Sequence, residues 1–182
     1  GNKYFELYGK NASKKKMPAI KNGILVLKNI MNTKRYKDVL IHSYQYISNE
    51  NVQFGVVSFD LYDDVVYISF EGTDHLMSGW LEDFMIAGYF PVDAQKYAIK
   101  YLNRYTFNRK KLIVGGHSKG GHLAIISSMY TNYFVRKRII KIYSNDGLGL
   151  RKEELNSKKY QSIKDRVVKL IPDYSIIGHL LH

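Results

Sequence analysis

The 182-residue chain contains no cysteine, which excludes a disulfide framework, a thiolate nucleophile and any zinc or iron–sulfur centre held by cysteine. Chemistry is left to His, Asp and Ser. No uncharged apolar run approaches the roughly 20 residues of a membrane span, since the stretch from Ile24 to Ile30 already contains Lys28. A membrane-spanning helix is not expected. His42 and His75 have no metal-ligand spacing, and neither an H-E-x-x-H motif nor a carboxylate cluster occurs, so neither metal nor other cofactor is expected. Internal repeats and low-complexity segments are also missing. With 45% apolar residues, the expectation is one compact domain over residues 1–182. The first residue is Gly1, so a removed signal peptide would leave no trace; a cytoplasmic location is the expectation and secretion the alternative.

Positive charge is absent from one long stretch. Between Asp38 and Gln95 there is no Lys or Arg, and ten acids occur there. The net charge of +12 therefore sits in the rest of the chain, where 28 bases face six acids. Clusters such as Lys14-Lys15-Lys16, Arg109-Lys110-Lys111 and Arg136-Lys137-Arg138 would either form a patch for nucleic acid, an anionic membrane surface or an acidic substrate, or be ordinary solvated loops and helix faces. No RNA-recognition, helix-turn-helix or zinc-finger signature accompanies them, so no specific nucleic-acid partner is expected.

Hydrophobic patterning indicates an α/β fold. Ile20 to Met31 reads as a helix weakened by Gly23. Val52–Leu61 and Val65–Phe70 are β-branched and aromatic runs separated by Tyr62-Asp63-Asp64, the pattern of an antiparallel hairpin. After Pro91, Ala94, Tyr97, Ala98, Tyr101, Leu102 and Tyr105 mark one helix face. Leu112-Ile113-Val114, Ile139–Ser144 and Val167–Ile171 read as strands, with a helix over Gly121–Met129. Strands alternating with helices after a hairpin predict a mostly parallel sheet with helices on both faces. The first 37 residues form a helical N-terminal segment, and residues 52–182 the core.

Between the strand at 112–114 and the helix from Gly121 lies Gly116-His117-Ser118-Lys119-Gly120, which fits G-x-S-x-G, the nucleophile elbow. A turn this tight leaves no room for side chains two residues before and after the serine, hence Gly116 and Gly120. It would lift the Ser118 hydroxyl above the sheet at a helix N-terminus, whose dipole favours developing negative charge. The five-residue pattern alone is weak; a strand before it and a small-residue helix start after it make it specific.

Several further segments, in order, make the resemblance concrete: Phe70-Glu71-Gly72-Thr73-Asp74, Gly79-Trp80 with Glu82-Asp83-Phe84, Gly115 through Ala124, Tyr143-Ser144-Asn145-Asp146-Gly147-Leu148-Gly149, and Pro172 through Ser175-Ile176-Ile177-Gly178. Over roughly Gln53 to Leu181 the chain resembles the Mbeg1-like family, itself similar to class 3 lipases of the α/β-hydrolase superfamily. The resemblance implies acyl-ester or lipid-ester hydrolysis by a Ser–His–acid triad. Ser118 would be the nucleophile, with an oxyanion held by the backbone N–H of Lys119 and by Thr73, which corresponds to the residue after the F-R-G segment of class 3 lipases. Glu71 stands where arginine is usual, a change expected to alter a supporting ion pair.

The acid is Asp146, which follows the first strand after the elbow helix, or Asp173, which follows the next strand as in class 3 lipases; each also suits a turn or a helix cap. Chain order Ser, acid, His leaves His179 or His182 as base. The family's His is expected beyond a further strand, so the alternatives are a chain ending before its base or an inactive hydrolase-like module that binds anionic lipid or nucleic acid. His117, at a position often filled by His in lipase elbows, is carried as a substrate contact or a structural residue, and His122 as structural. Lys119 would steer anionic substrates or simply face solvent. Trp80, with Phe84, Met85 and Phe90, would line an acyl cleft or belong to the core, and residues 74–91 are a candidate lid.

Overall fold

The computed structural model of the chain describes residues 18–50, 52–62, 64–73 and 89–175. Its centre is one six-stranded sheet whose strands lie in chain order: β1 (Leu40–Ser48), β2 (Gln53–Tyr62), β3 (Val65–Phe70), β4 (Lys111–His117), β5 (Ile139–Asn145) and β6 (Val167–Leu170). The β1–β2 and β2–β3 pairs are antiparallel, and β3 through β6 run parallel. Parallel neighbours need crossovers. These are supplied by α2 (Asp93–Asn103) after β3, α3 (Lys119–Tyr130) and α4 (Tyr133–Arg138) after β4, and α5 (Lys152–Leu155) and α6 (Lys158–Gln161) after β5.

Alternate residues of the strands point to the helices: Val56 of β2, Val66, Ile68 and Phe70 of β3, Leu112 and Val114 of β4 and Ile142 of β5 are all buried. Helix α2 meets them with Ala94, Ala98, Tyr101 and Leu102, the 3.6-residue stripe read from the sequence. Helix α3 is buried along its length from Lys119 to Met129, because it lies between the sheet and α2 and needs no polar face. Ser58 on β2 would be an unmet polar group in this core. It sits instead in a chain of hydroxyls in which Tyr105 donates to Ser58 (2.7 Å), Ser58 to Tyr101 (2.8 Å) and Tyr101 to the Ser43 carbonyl (2.6 Å). Burial pushes both tyrosines above the ordinary phenol range.

Five elements depart from the sequence reading: two strands and three short helices. The hairpin is extended by β1, whose half-exposed pattern breaks at a bulge between His42 and Gln45, with Ser43 at φ 54°. Such a break hides the period of two. Strand β4 runs on through Gly115-Gly116-His117, because pairing with Ser69 and Phe70 on one side and Tyr143 to Asn145 on the other holds the glycines extended. The short helices α4, α5 and α6 were also not expected from periodicity.

The opposite sheet face carries α1 (Pro18–Met31) over β1 to β3, and a cavity of about 210 Å³ lies between them, lined by Leu27, Ile30, Tyr36, Phe59, Leu61 and Tyr67. Tyr67 pairs with Ile113 near the amino end of β4, so this cavity is remote from Ser118. The basic clusters are partly absorbed by the fold. Arg136 donates to the Met129 carbonyl (2.8 Å), Arg138 to those of Lys110 (2.8 Å) and Tyr105, and Lys110 and Lys111 pair with Asp60 (3.0 Å) and Asp64 (2.9 Å). Lys14 to Lys16 lie outside the described residues. Among the described residues no helix is long and apolar enough to cross a membrane, and no group of His, Asp and Glu could hold a metal ion.

Candidate active site

Strand β4 delivers the chain to Ser118, which takes φ 54° and ψ −125° before α3 begins. A non-glycine residue in that region stores on the order of 1–3 kcal/mol and persists only where its surroundings enforce it. The enforcing contacts are visible. The Ser118 N–H donates to the Asn145 carbonyl (3.0 Å), and the Ser118 carbonyl accepts from Gly121 (2.9 Å) and His122 (3.3 Å). The Ser118 side chain does not cap its own helix and is half-buried. A β-carbon on Gly116 would lie 2.6 Å from the Phe70 carbonyl oxygen and closer still to the Gly120 backbone; one on Gly120 would lie 2.8 Å from the Glu71 carbonyl oxygen and closer to that of Phe70. Gly120→Ala is therefore expected to destabilise the protein by about 3 kcal/mol or more, because backbone rather than a side-chain tip must move. Urea unfolding followed by circular dichroism checks this.

The Gly72–Thr73 loop lies against the elbow. A β-carbon on Gly72 would sit 3.5 Å from Ser118 Cβ and 2.7 Å from the His117 carbonyl oxygen. Thr73 follows directly and is half-buried. Gly72, the residue before the second expected oxyanion donor, thus adjoins the serine. Glu71 folds back over β2, its carboxylate occupying the space a β-carbon of Gly55 would need.

Lys119 does not face solvent, nor is its ammonium group available to steer a ligand. It is 1% exposed, and Nζ donates to the Gln53 carbonyl (2.7 Å) and to Gln53 Oε1 (3.0 Å). The correction has a physical reason: α3 starts beneath the first residues of β2, where a buried ammonium must find acceptors.

Both candidate acids lie at the carboxyl ends of parallel strands. Asp146 follows β5 at φ 51°, a conformation Asp tolerates in turns, and its N–H donates to the Leu170 carbonyl (2.7 Å). Ser175 donates through its hydroxyl to Asp146 Oδ1. The adjacent residue, Asn145, is the one whose carbonyl holds Ser118. Asp173 is exposed in the turn closed by the Ser175 N–H on the Pro172 carbonyl (2.9 Å). Lys169 lies near the Asp146 carboxylate; burial holds its amine below the ordinary lysine range, opposed by that charge.

His117 is exposed at the end of β4, whereas His122 is buried. Gln95 fixes the state of His122. Its Oε1 accepts from the Val92 N–H (3.0 Å), so its amide nitrogen donates to His122 Nε2 (3.0 Å), and the imidazole proton sits on Nδ1, donating to the Gly149 carbonyl (3.0 Å). His122 is thus structural, tying α3 to α2 and to the loop after Asp146. Burial depresses its pKa, against the nearby Glu154 charge. As pH falls below about 6.5 the unfolded chain takes up a proton that the folded protein refuses, so stability drops by up to about 1.4 kcal/mol per pH unit until the folded-state pKa is reached. Urea titrations at pH 7.5 and 5.5 are expected to show this loss, and His122→Gln to remove most of it.

Phe90 packs on Tyr130 with ring centroids 4.6 Å apart and so belongs to the core around the far end of α3. Trp80, Phe84, Met85, His75, His179, His182 and most of the candidate lid lie outside the described residues. Sequence reasoning missed Gln53 and Gln95, lone polar residues with no motif around them, recognisable only by their partners across the fold; Ser175 lies in a family segment, but its tie to Asp146 was not legible there.

Solved structures with a similar fold include a fungal lipase–inhibitor complex (TM-score 0.58, 14% identity, covering 86% of this chain and 67% of that one) and M37 lipase (TM-score 0.55, 16% identity, covering 86% and 61%). At these identities the likeness establishes the α/β-hydrolase fold, and the chain spans less than two thirds of the length of the second. No curated protein matches the sequence. The Mbeg1-like family model matches residues 30–182, which hold all six strands of the described sheet and the elbow, and the chain belongs to that family.

Proposed function

We propose that this protein is a serine hydrolase that cleaves carboxylic esters, lipid esters among them, through an acyl-enzyme at Ser118. The observation that carries the proposal is the backbone of Ser118, a left-handed serine between two glycines that cannot accept a β-carbon, at the mouth of a parallel sheet. A plain strand-to-helix turn has no need of that strain. The lipase folds of the similar structures support the choice of esters.

In this reading the Ser118 hydroxyl attacks the acyl carbonyl and passes its proton to a histidine base. The oxyanion is held by the Lys119 N–H and by Thr73, the alcohol leaves with the proton, and water releases the acid by the reverse sequence. Asp146 or Asp173 orients the base. His179, His182 or a histidine later in a longer chain supplies it. Engagement of Arg136 and Arg138 with backbone carbonyls makes a basic binding surface the weaker reading.

Fluorophosphonate labelling followed by peptide mass spectrometry tests the proposal, on this 182-residue chain and on a longer form extended at its C-terminus. Label on Ser118 in both assigns the base to His179 or His182, and label only in the longer form assigns it to a later residue. Labelling of neither overturns the proposal.

A further inference from the structure

Gln53 touches both candidate halves of the oxyanion hole. Its carbonyl and Oε1 accept from Lys119 Nζ at 2.7 and 3.0 Å, and its Nε2 donates to the Gly72 carbonyl at 3.4 Å. Lys119 carries the N–H expected to hold the oxyanion from the elbow, and Gly72 immediately precedes Thr73, the other expected donor. The two groups come from segments 46 residues apart in sequence, and an oxyanion hole works only when both are fixed before charge develops. Gln53 is 2% and Lys119 1% exposed, so water does not compete for these bonds.

We infer that the side chains of Lys119 and Gln53 are positioning residues: a buried brace that sets the Gly72–Thr73 loop against the elbow and so builds the oxyanion hole. The inference rests on the reading of Ser118 as nucleophile and goes beyond it, because neither side chain belongs to the triad. The geometry also accounts for two features of the sequence. Lys119 follows the nucleophile at a buried position, where a short apolar residue would pack at less cost. Gln53 opens a strand whose next three residues, Phe54, Gly55 and Val56, are buried without a polar side chain. Gln53 presents two acceptors to the lysine at that site, and its amide nitrogen reaches the Gly72 carbonyl.

Removing the Lys119 side chain leaves its backbone N–H in place, so Lys119→Met isolates the brace from the donor itself. Gln53→Met does the same from the strand side with little change in volume. Each is expected to lower kcat on a short-chain p-nitrophenyl ester by about 10- to 100-fold, with KM within about twofold, since a misplaced donor is missed most in the transition state. The double variant should cost little more than either single one, because both remove the same linkage. Lys119→Arg, which restores a charged donor, should exceed Lys119→Met in kcat.

Amide hydrogen exchange supplies the readout that does not need turnover. Both Met variants should speed exchange at Gly72 and Thr73 while leaving β4 and β5 amides protected. If either folded variant keeps wild-type kcat, or leaves exchange at Thr73 unchanged, the brace is refuted; a merely structural role would instead speed exchange across the whole sheet. Should the wild-type protein show neither turnover nor Ser118 labelling, the hydrolase reading fails by itself, and the exchange arm still decides whether Lys119 and Gln53 hold the loop.

Discussion

Ser118→Ala is expected to lower ester turnover by about 10⁵- to 10⁶-fold and to abolish fluorophosphonate labelling, while leaving the fold intact. The size follows from the role: losing the nucleophile removes the covalent route and leaves only what binding and the oxyanion hole provide. The substitution should not relieve backbone strain, because alanine carries the same β-carbon into φ 54°. Ser118→Gly is the informative companion. It should match Ser118→Ala in activity yet gain about 1 kcal/mol in stability, since glycine populates that region freely. Steady-state hydrolysis and urea unfolding of the three proteins check both parts. A Ser118→Ala protein that keeps its turnover would remove Ser118 from the mechanism.

The second large effect concerns the acid. Asp146→Asn and Asp173→Asn are each isosteric, and one of them is expected to lower kcat by about 10⁴-fold, the scale of losing the carboxylate that orients a catalytic imidazole. The other should cost less than about tenfold. The local structures make the outcome readable. Asp146 is half-buried, accepts from the Ser175 hydroxyl and sits one residue from the carbonyl that holds Ser118. Asp173 is exposed at the end of the next strand. If Asp146 serves, Ser175→Ala should also lower kcat, because it frees a carboxylate oxygen that is now tethered. If Asp173 serves, Asp146→Asn should appear mainly as lost stability, because it removes the carboxylate charge that accepts from the Ser175 hydroxyl and lies near Lys169. Equal, small effects of both substitutions would exclude a triad built on either residue.

Much of this arrangement was legible along the chain. The α2 stripe, the β2–β3 hairpin and the strand–elbow–helix order are local patterns, each set by the spacing of apolar residues or by glycines at fixed offsets. Gly116 and Gly120 could be assigned to the elbow because the collision they avoid is between near neighbours in sequence. Strand β1 escaped notice because it is an edge strand with a bulge, so half of its residues face solvent and the alternation breaks at Ser43.

Lys119 shows where local reasoning stops. Beside Ser118 at a helix start, its side chain has two open directions, toward solvent or into the core, and nothing within ten residues chooses between them. Gln53, 66 residues earlier, offers the buried ammonium two acceptors beneath the elbow. His122 is similar: its tautomer follows from Gln95 and Gly149, each 27 residues away. The α/β class, the elbow and the family motifs could be read along the chain, because they depend on contacts between residues close in sequence. The buried direction of Lys119, the neutral bridge of His122, and the approach of Gly72 and Asp146 to Ser118 were decided only by the tertiary structure. Each depends on which partner the sheet brings within hydrogen-bonding distance, and burial then makes those partners obligatory.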